Sequence, residues 1–188
     1  MSFSTSSSSD CASQSTQNET LSENVLVKGK DYEKELIESI SFMLLKQNCE
    51  NKGLKDYKKI LKAQSKMIFT SKQLPTISLS DYLNRIINYT KVEHSTLIAA
   101  MIYLKRYCTQ TKTMLNEYNT HRLLVTSIIV SIKFNEDEKF NNLFYSVIAG
   151  TDLRQMNQLE EDFLDGLNFN MFIDERSYDL FERSLFVN

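Results

Sequence analysis

Proline, glycine, cysteine and histidine are all scarce in this 188-residue chain, and each scarcity removes a class of protein. The three cysteines, Cys11, Cys49 and Cys108, are odd in number, widely spaced and without a C-x-x-C pair. That argues against a disulfide framework and a zinc site, and it fits a reducing compartment. Two histidines, His94 and His121, are too few for a metal cluster, so neither metal nor cofactor is expected. No apolar run approaches the roughly 20 residues that span a bilayer. The N-terminus lacks the basic and apolar regions of a secretory signal. The chain therefore reads as cytoplasmic and/or nuclear, with no membrane among its partners. Its net charge of −2 gives the whole molecule no bulk attraction for nucleic acid, which is not expected as a partner. Four glycines, one proline and no sustained period-two alternation leave strands little support, and the fold class is all-α.

What is present is enough apolar side chain, 41% of residues, to bury one domain's core. Residues 1–24 are mostly Ser, Thr, Asn and Gln and cannot bury enough surface to offset their ordering entropy, so a disordered tail is expected. Such a tail is either phosphorylation-prone or a solvated chain end without a role. Residues 25–74 form an N-terminal helical extension. Within it, Leu36, Ile37, Ile40, Met43, Leu44 and Leu45 recur at helical spacing. A second helix is expected over 51–68, its outer face carrying Lys52, Lys55, Lys58, Lys59, Lys62 and Lys66. Such a face can bind anionic lipid, nucleic acid or an acidic peptide, but the absence of arginine and the scarcity of aromatic interleaving favour a plain solvated surface.

Pro75 separates this front section from the rest. Ser78 and Asp81 form an S-x-x-D capping box that opens a helix over 79–92. Further helices are expected at 95–109, 120–134, 139–148, 152–167 and 175–185. Between Leu123 and Ile132 the sequence LLVTSIIVSI has no charge, no Gly and no Pro. A helix apolar on every side must be surrounded by other helices, so this one sets the architecture. Lys133 follows at once and emerges at the rim of the core.

Leu153, Met156, Glu160, Leu164 and Leu167 step by three and four residues, which places Glu160 on the apolar stripe of its helix. An unpaired carboxylate there is costly. Three readings are open: an internal ion pair, a half-exposed edge residue, or a charge held for another protein. Periodicity favours the first two. Lys133 is equally well explained by the dipole at its helix C-terminus, and spacing does not show that the two charges share a surface.

The segments PTISLSDYLNRIINYT, LIAAMIYLKR, NTHRLLVTSIIVSIKF, NNLFYSVIAG and MNQLEEDFLDGLNFNM, in that order, resemble a cyclin box over residues 75–172. The resemblance is to the P/U-type cyclins, the group of the Pho-type and Pcl-type cyclins. Asn119 with His121-Arg122-Leu123-Leu124, and Asn157 with Leu159-Glu160, carry the subgroup likeness. The resemblance implies a single five-helix box around the central apolar helix, with additional N-terminal helices and a short C-terminal helical segment over 173–188. It implies a regulatory, non-catalytic subunit that binds and activates a cyclin-dependent protein kinase, with protein substrates or an inhibitor as further partners. It places Lys133, Phe134, Glu160, Leu164, Phe169 and Met171 at the kinase interface. It makes Arg85 a structural residue. In many cyclins that arginine pairs with an acid on the second box helix, but Lys105 stands there in Tyr103-Leu104-Lys105-Arg106, so the pair is lost or re-made. The Asn84-Arg85-Ile86-Ile87-Asn88 segment makes a poor substrate-docking patch.

A rival reading is a cyclin-box scaffold or transcription-factor-like module that acts without a kinase; such proteins usually carry two boxes. An enzyme is not expected, since no phosphate-binding glycine loop, nucleophile elbow or metal constellation occurs. His121 reads as a helix-start or core histidine, Cys108 as a small core residue, Gly150 as a helix stop and Gly166 as a point of close packing.

Overall fold

The computed structural model describes the backbone of residues 10–187 and the side chains of residues 31–187. The side chains of the Ser/Thr-rich tail expected over 1–24 lie outside the described residues. Eight helices and no strand occur among the described residues: α1 Asp10–Lys52, α2 Tyr57–Gln64, α3 Leu79–Thr90, α4 His94–Thr111, α5 Thr120–Asn135, α6 Asn142–Ala149, α7 Leu153–Gly166 and α8 Glu175–Phe186. The fold is all-α, as the scarcity of turn residues and the apolar spacing required. The chain forms two compact units, Met1–Leu36 and Ile37–Asn188. The first carries the beginning of α1. The second holds the five-helix box, α3 to α7, together with α2 and α8.

Helix α5 is the hub of the second unit. It packs against α3, α4, α6 and α7, and every residue from Leu123 to Ile132 is buried. The three hydroxyls between Leu123 and Ile132 do not disturb this enclosure, because each finds a carbonyl. Thr126 donates to Arg122 O at 2.7 Å, Ser127 to Leu124 O at 2.8 Å and Ser131 to Thr96 O of α4 at 2.8 Å. Buried hydroxyls without partners would each cost about 1–3 kcal/mol. The entry to α5 is built from amides. Asn119 accepts from Asn116 N at 2.9 Å and donates to Met114 O at 2.9 Å, tightening the loop that feeds the hub.

Capping follows the sequence. Ser78 accepts from Asp81 N at 3.1 Å at the start of α3, and Asp152 accepts from Gln155 N at 2.7 Å at the start of α7. Asn141 and Asp174 open α6 and α8 in the same way. Gly150 ends α6 at φ 70°, a conformation that side chains disfavour. The helix expected over 51–68 is shorter. Helix α1 runs on to Lys52, a turn follows Gly53, and α2 stops at Gln64. Residues beyond it leave the helix so that Phe69 can enter the core. There its ring meets Tyr107 edge-on at 5.3 Å and Phe163 at 6.3 Å, while Tyr107 and Phe163 stack at 4.9 Å. Each such pair contributes about 0.5–1.5 kcal/mol beyond area burial. The lysines of this section are exposed.

Among the described residues, the Arg85 guanidinium has no carboxylate partner. It donates to Val147 O at 3.0 Å, and Tyr82 Oη donates to Ala149 O at 3.0 Å, so α3 grips the carbonyl end of α6. The missing acid is thus replaced by a helix C-terminus, which favours a cation. Lys105 instead lies over the Phe181 ring of α8 at 5.9 Å. Cys108 is partly buried, and desolvation pushes its thiol up to about 12. No helix among the described residues is long and apolar enough to cross a membrane.

Gly166 lets α7 lie against Tyr107 and Thr111 of α4. A Cβ there would fall 2.2 Å from Tyr107 Cε2 and 3.0 Å from Thr111 Cγ2. The Tyr107 ring cannot retreat, because Phe163 stacks on it. Gly166→Ala is expected to destabilise the protein by about 1–3 kcal/mol despite alanine's better helix propensity, measurable by urea unfolding. His121 provides a second test. Its Nε2 lies 3.0 Å from Ile77 O, its Nδ1 has no partner among the described residues, and burial lowers its pKa below 6.5. The unfolded chain therefore binds this proton more readily than the folded one. The contribution is present above about pH 6.5 and is lost as the pH falls towards the folded value. His121→Gln should flatten the decline of melting temperature on acidification below that point.

Candidate protein-binding site

The last buried residue of α5 is Ile132, so the next side chain, Lys133, comes out at the edge of the core. Its amine meets Glu160, in the second turn of α7, at 2.6 Å (Oε1) and 2.7 Å (Oε2). The third contact is Asn142 Oδ1, at 2.6 Å, from the first turn of α6. Asn142 Nδ2 in turn lies 2.6 Å from Glu160 Oε2 and 2.8 Å from Asn157 Oδ1. Three helices thus converge on one polar knot. The two charged side chains are 27% and 17% exposed, so the knot sits at the rim and not within the core. Three acceptors saturate the ammonium, whereas Glu160 Oε1 takes a bond from Lys133 alone and keeps accepting capacity.

The register of α7 differs from the expected one. Its buried line is Met156, Leu159 and Phe163, continued by Leu167, and Leu153 is 40% exposed. Glu160 therefore lies beside the apolar stripe. Of the three open readings, the internal pair and the edge position both hold.

Phe134, next along from Lys133, is 60% exposed. It lines a groove of about 740 Å³ with Phe169, Phe172, Ala99 and Tyr178, floored by Met171. Two adjacent residues, Asn168 and Phe169, adopt left-handed backbone with φ 50° and 54°. For a bulky aromatic this is an uncommon conformation, costing on the order of 1–3 kcal/mol, and it holds the Phe169 ring out in solvent. The turn is kept in place from α4. Arg106 donates to Asn170 O at 2.5 Å and to Phe172 O at 2.9 Å, and Tyr103 Oη donates to Met171 O at 2.8 Å. Three successive carbonyls are clamped by two side chains one turn apart.

Of the residues assigned to the interface by resemblance, Phe134 and Phe169 are displayed, and Lys133 and Glu160 are joined to each other. Leu164 is half-buried and lies outside the groove lining; Met171 is buried and contributes the floor. Arg85 lies on α3, bonded to α6. Sequence reasoning missed Asn142, Tyr103, Arg106 and Phe172. Arg106 could have been singled out as a charge on a nearly apolar helix, but nothing in the spacing names the carbonyls it holds.

A cyclin family model matches residues 3–171 of the chain. Over 129 residues it is 36% identical to cyclin-P3-1 of Oryza sativa subsp. japonica, covering 69% of this chain and 54% of that protein. It is 38% identical over 112 residues to cyclin-U4-3 of Arabidopsis thaliana, covering 59% and 51%. With cyclin-U4-1 of Arabidopsis thaliana the identity is 34% over 120 residues, covering 63% and 59%. The chain spans about half the length of the curated relatives it matches. The all-α box and these matches together place the chain in the cyclin family, as a cyclin of the P/U type.

The knot makes a quantitative prediction. Lys133→Ala leaves the Glu160 carboxylate with only Asn142 at a site 17% exposed. Removing both charges should cost less than the two single losses added together. A double-mutant cycle by urea unfolding should return a coupling of about 1–2 kcal/mol, between that of an exposed and a fully buried pair. Additive losses would show that the ion pair does not form in solution.

Proposed function

We propose that this chain is the regulatory subunit of a cyclin-dependent protein kinase, binding the kinase and stabilising its active arrangement. The observation that carries the reading is the pairing of a polar knot with exposed aromatics at one rim. Lys133 lies in the last turn of α5 beside Phe134, which is 60% exposed, and Phe169 and Phe172 stand out at 66% and 75%. Exposed aromatics gathered on one groove mark a surface that another protein covers.

In this reading an amphipathic helix of the kinase lies along the groove and removes the three phenyl rings from water. Apolar burial yields about 25 cal/mol per Å², and that non-directional term supplies most of the affinity. Direction comes from the knot. The spare lone pairs of Glu160 Oε1 accept a backbone N–H at the end of the kinase helix, while Lys133 holds the carboxylate in position. The chain does no chemistry itself. It binds one of the kinase's conformations better than the other, and the equilibrium moves by that difference in affinity. The helix so turned carries the glutamate that pairs with the ATP-orienting lysine. Clamping by Arg106 and Tyr103 holds Phe169 and Phe172 in place before binding, which lowers the entropy lost on association.

The test is co-expression with a panel of cyclin-dependent kinases, followed by affinity capture and a phosphorylation assay. The wild-type chain should retain one or more kinases and raise their activity. Phe169→Ala with Phe172→Ala, both exposed and so harmless to folding, should weaken capture by at least about tenfold, a loss of about 1.4 kcal/mol. Glu160→Gln should lower activation while its melting temperature reports whether the knot survives. Undiminished capture by the double phenylalanine variant would refute the assigned groove.

A further inference from the structure

Away from the aromatic groove, a second cleft of about 590 Å³ opens where the linker after α2 passes over the start of α5 and the first turn of α7. Its lining includes Lys66, Lys72 and Arg122 and no acidic residue. This is notable in a chain whose net charge is −2. Arg122 is only partly exposed, and all its partners are neutral. One terminal nitrogen donates to Ile68 O at 2.9 Å and Thr70 O at 3.3 Å, and the other lies 3.3 Å from Gln155 Oε1. Burial lowers the pKa of Arg122, and no carboxylate offsets it. Among the described residues, no carboxylate pairs with Lys66 or Lys72 either, although acids are as common as bases along the chain.

A half-buried guanidinium without a counter-ion, flanked by two exposed ammonium groups, is costly unless an anion completes it. Guanidinium offers a planar fork suited to a phosphoryl group, and lysines add charge without demanding geometry. The cleft is far larger than one phosphoryl group. The rest of its lining includes Ser71, Gln155 and the half-buried Met67 and Ile68, which gives flanking peptide residues both polar and apolar contacts. We infer that the cleft between the 65–73 linker and Arg122 is a docking site for a phosphorylated serine or threonine on a partner protein segment. Arg122 and the two lysines take the phosphoryl oxygens, and the linker backbone runs alongside the peptide. This reading does not depend on kinase binding, because the cleft is complete in the chain by itself.

The probe is a fluorescein-labelled peptide pool of random sequence around one fixed phosphoserine, titrated with the full chain and followed by anisotropy. Binding should be at least about tenfold tighter than for the same pool with serine, and should weaken as salt is raised. Lys66→Gln with Lys72→Gln, exposed and without partners to lose, should abolish most of that preference at unchanged melting temperature. Lys58→Gln with Lys59→Gln, on the exposed face of α2, should leave it intact. Arg122→Lys keeps the charge but loses the fork, and should reduce the preference by an intermediate amount. Equal affinity for the two pools would overturn the proposal, and so would equal losses in the two lysine pairs, which would mean diffuse charge attraction. Inorganic phosphate that competes as well as the phosphopeptide, mole for mole, would reassign the cleft to a free anion.

Discussion

Everything in the second unit is arranged around a helix that cannot meet water. From Leu123 to Ile132 helix α5 has no polar face, and it is stable only because α3, α4, α6 and α7 cover it. Enclosure fixes the positions of four helices at once, and the hydroxyls that interrupt the apolar run are neutralised by carbonyls of α4 and of α5 itself. The first charge after the enclosed segment has one place to go, the rim. There α6 and α7 already approach, and their Asn142 and Glu160 meet Lys133. The polar knot is therefore a consequence of the buried hub.

The same logic governs the aromatic groove. Helix α4 is buried from Thr96 to Met101 and again at Tyr103, Leu104 and Tyr107, and two of its polar side chains are spent on the chain that leaves α7. Arg106 and Tyr103 hold the carbonyls of Asn170, Met171 and Phe172. Just before them, where Asn168 N and Phe169 N bond back to Asp165 O and Leu164 O at the end of α7, Phe169 adopts a left-handed backbone with its ring in solvent. Strain and exposure at one aromatic residue are both unfavourable in the isolated chain. They become reasonable if another protein covers the ring. The basic cleft at Arg122 follows a similar pattern with charge in place of apolar surface: a half-buried group is left with neutral partners.

Much of the fold was legible because helix signals are local. The Ser78 cap, the stop at Gly150 and the tight contact at Gly166 were all read from residue type and position. Two readings needed correction. A single helix over 51–68 is broken at Gly53 and ends at Gln64, and the chain beyond it carries Phe69 into the ring cluster with Tyr107 and Phe163. Glu160 was set on the apolar stripe by counting threes and fours. Leu153 in fact lies outside the stripe and Leu159 inside it, a rotation that periodicity cannot resolve on a short helix.

The chain's own sequence determined that α5 must be enclosed, that α3 to α7 are helices, and that Lys133 leaves the core at its edge. Each of these depends on residues within a few turns of one another. Only the tertiary structure decided that Lys133 and Glu160, 27 residues apart, share a bidentate bond, that Met171 floors a groove, and that Arg106 shapes its wall. Those contacts depend on the relative rotation of helices and the path of the loops between them. Both are set by packing around the hub, and no residue spacing encodes them.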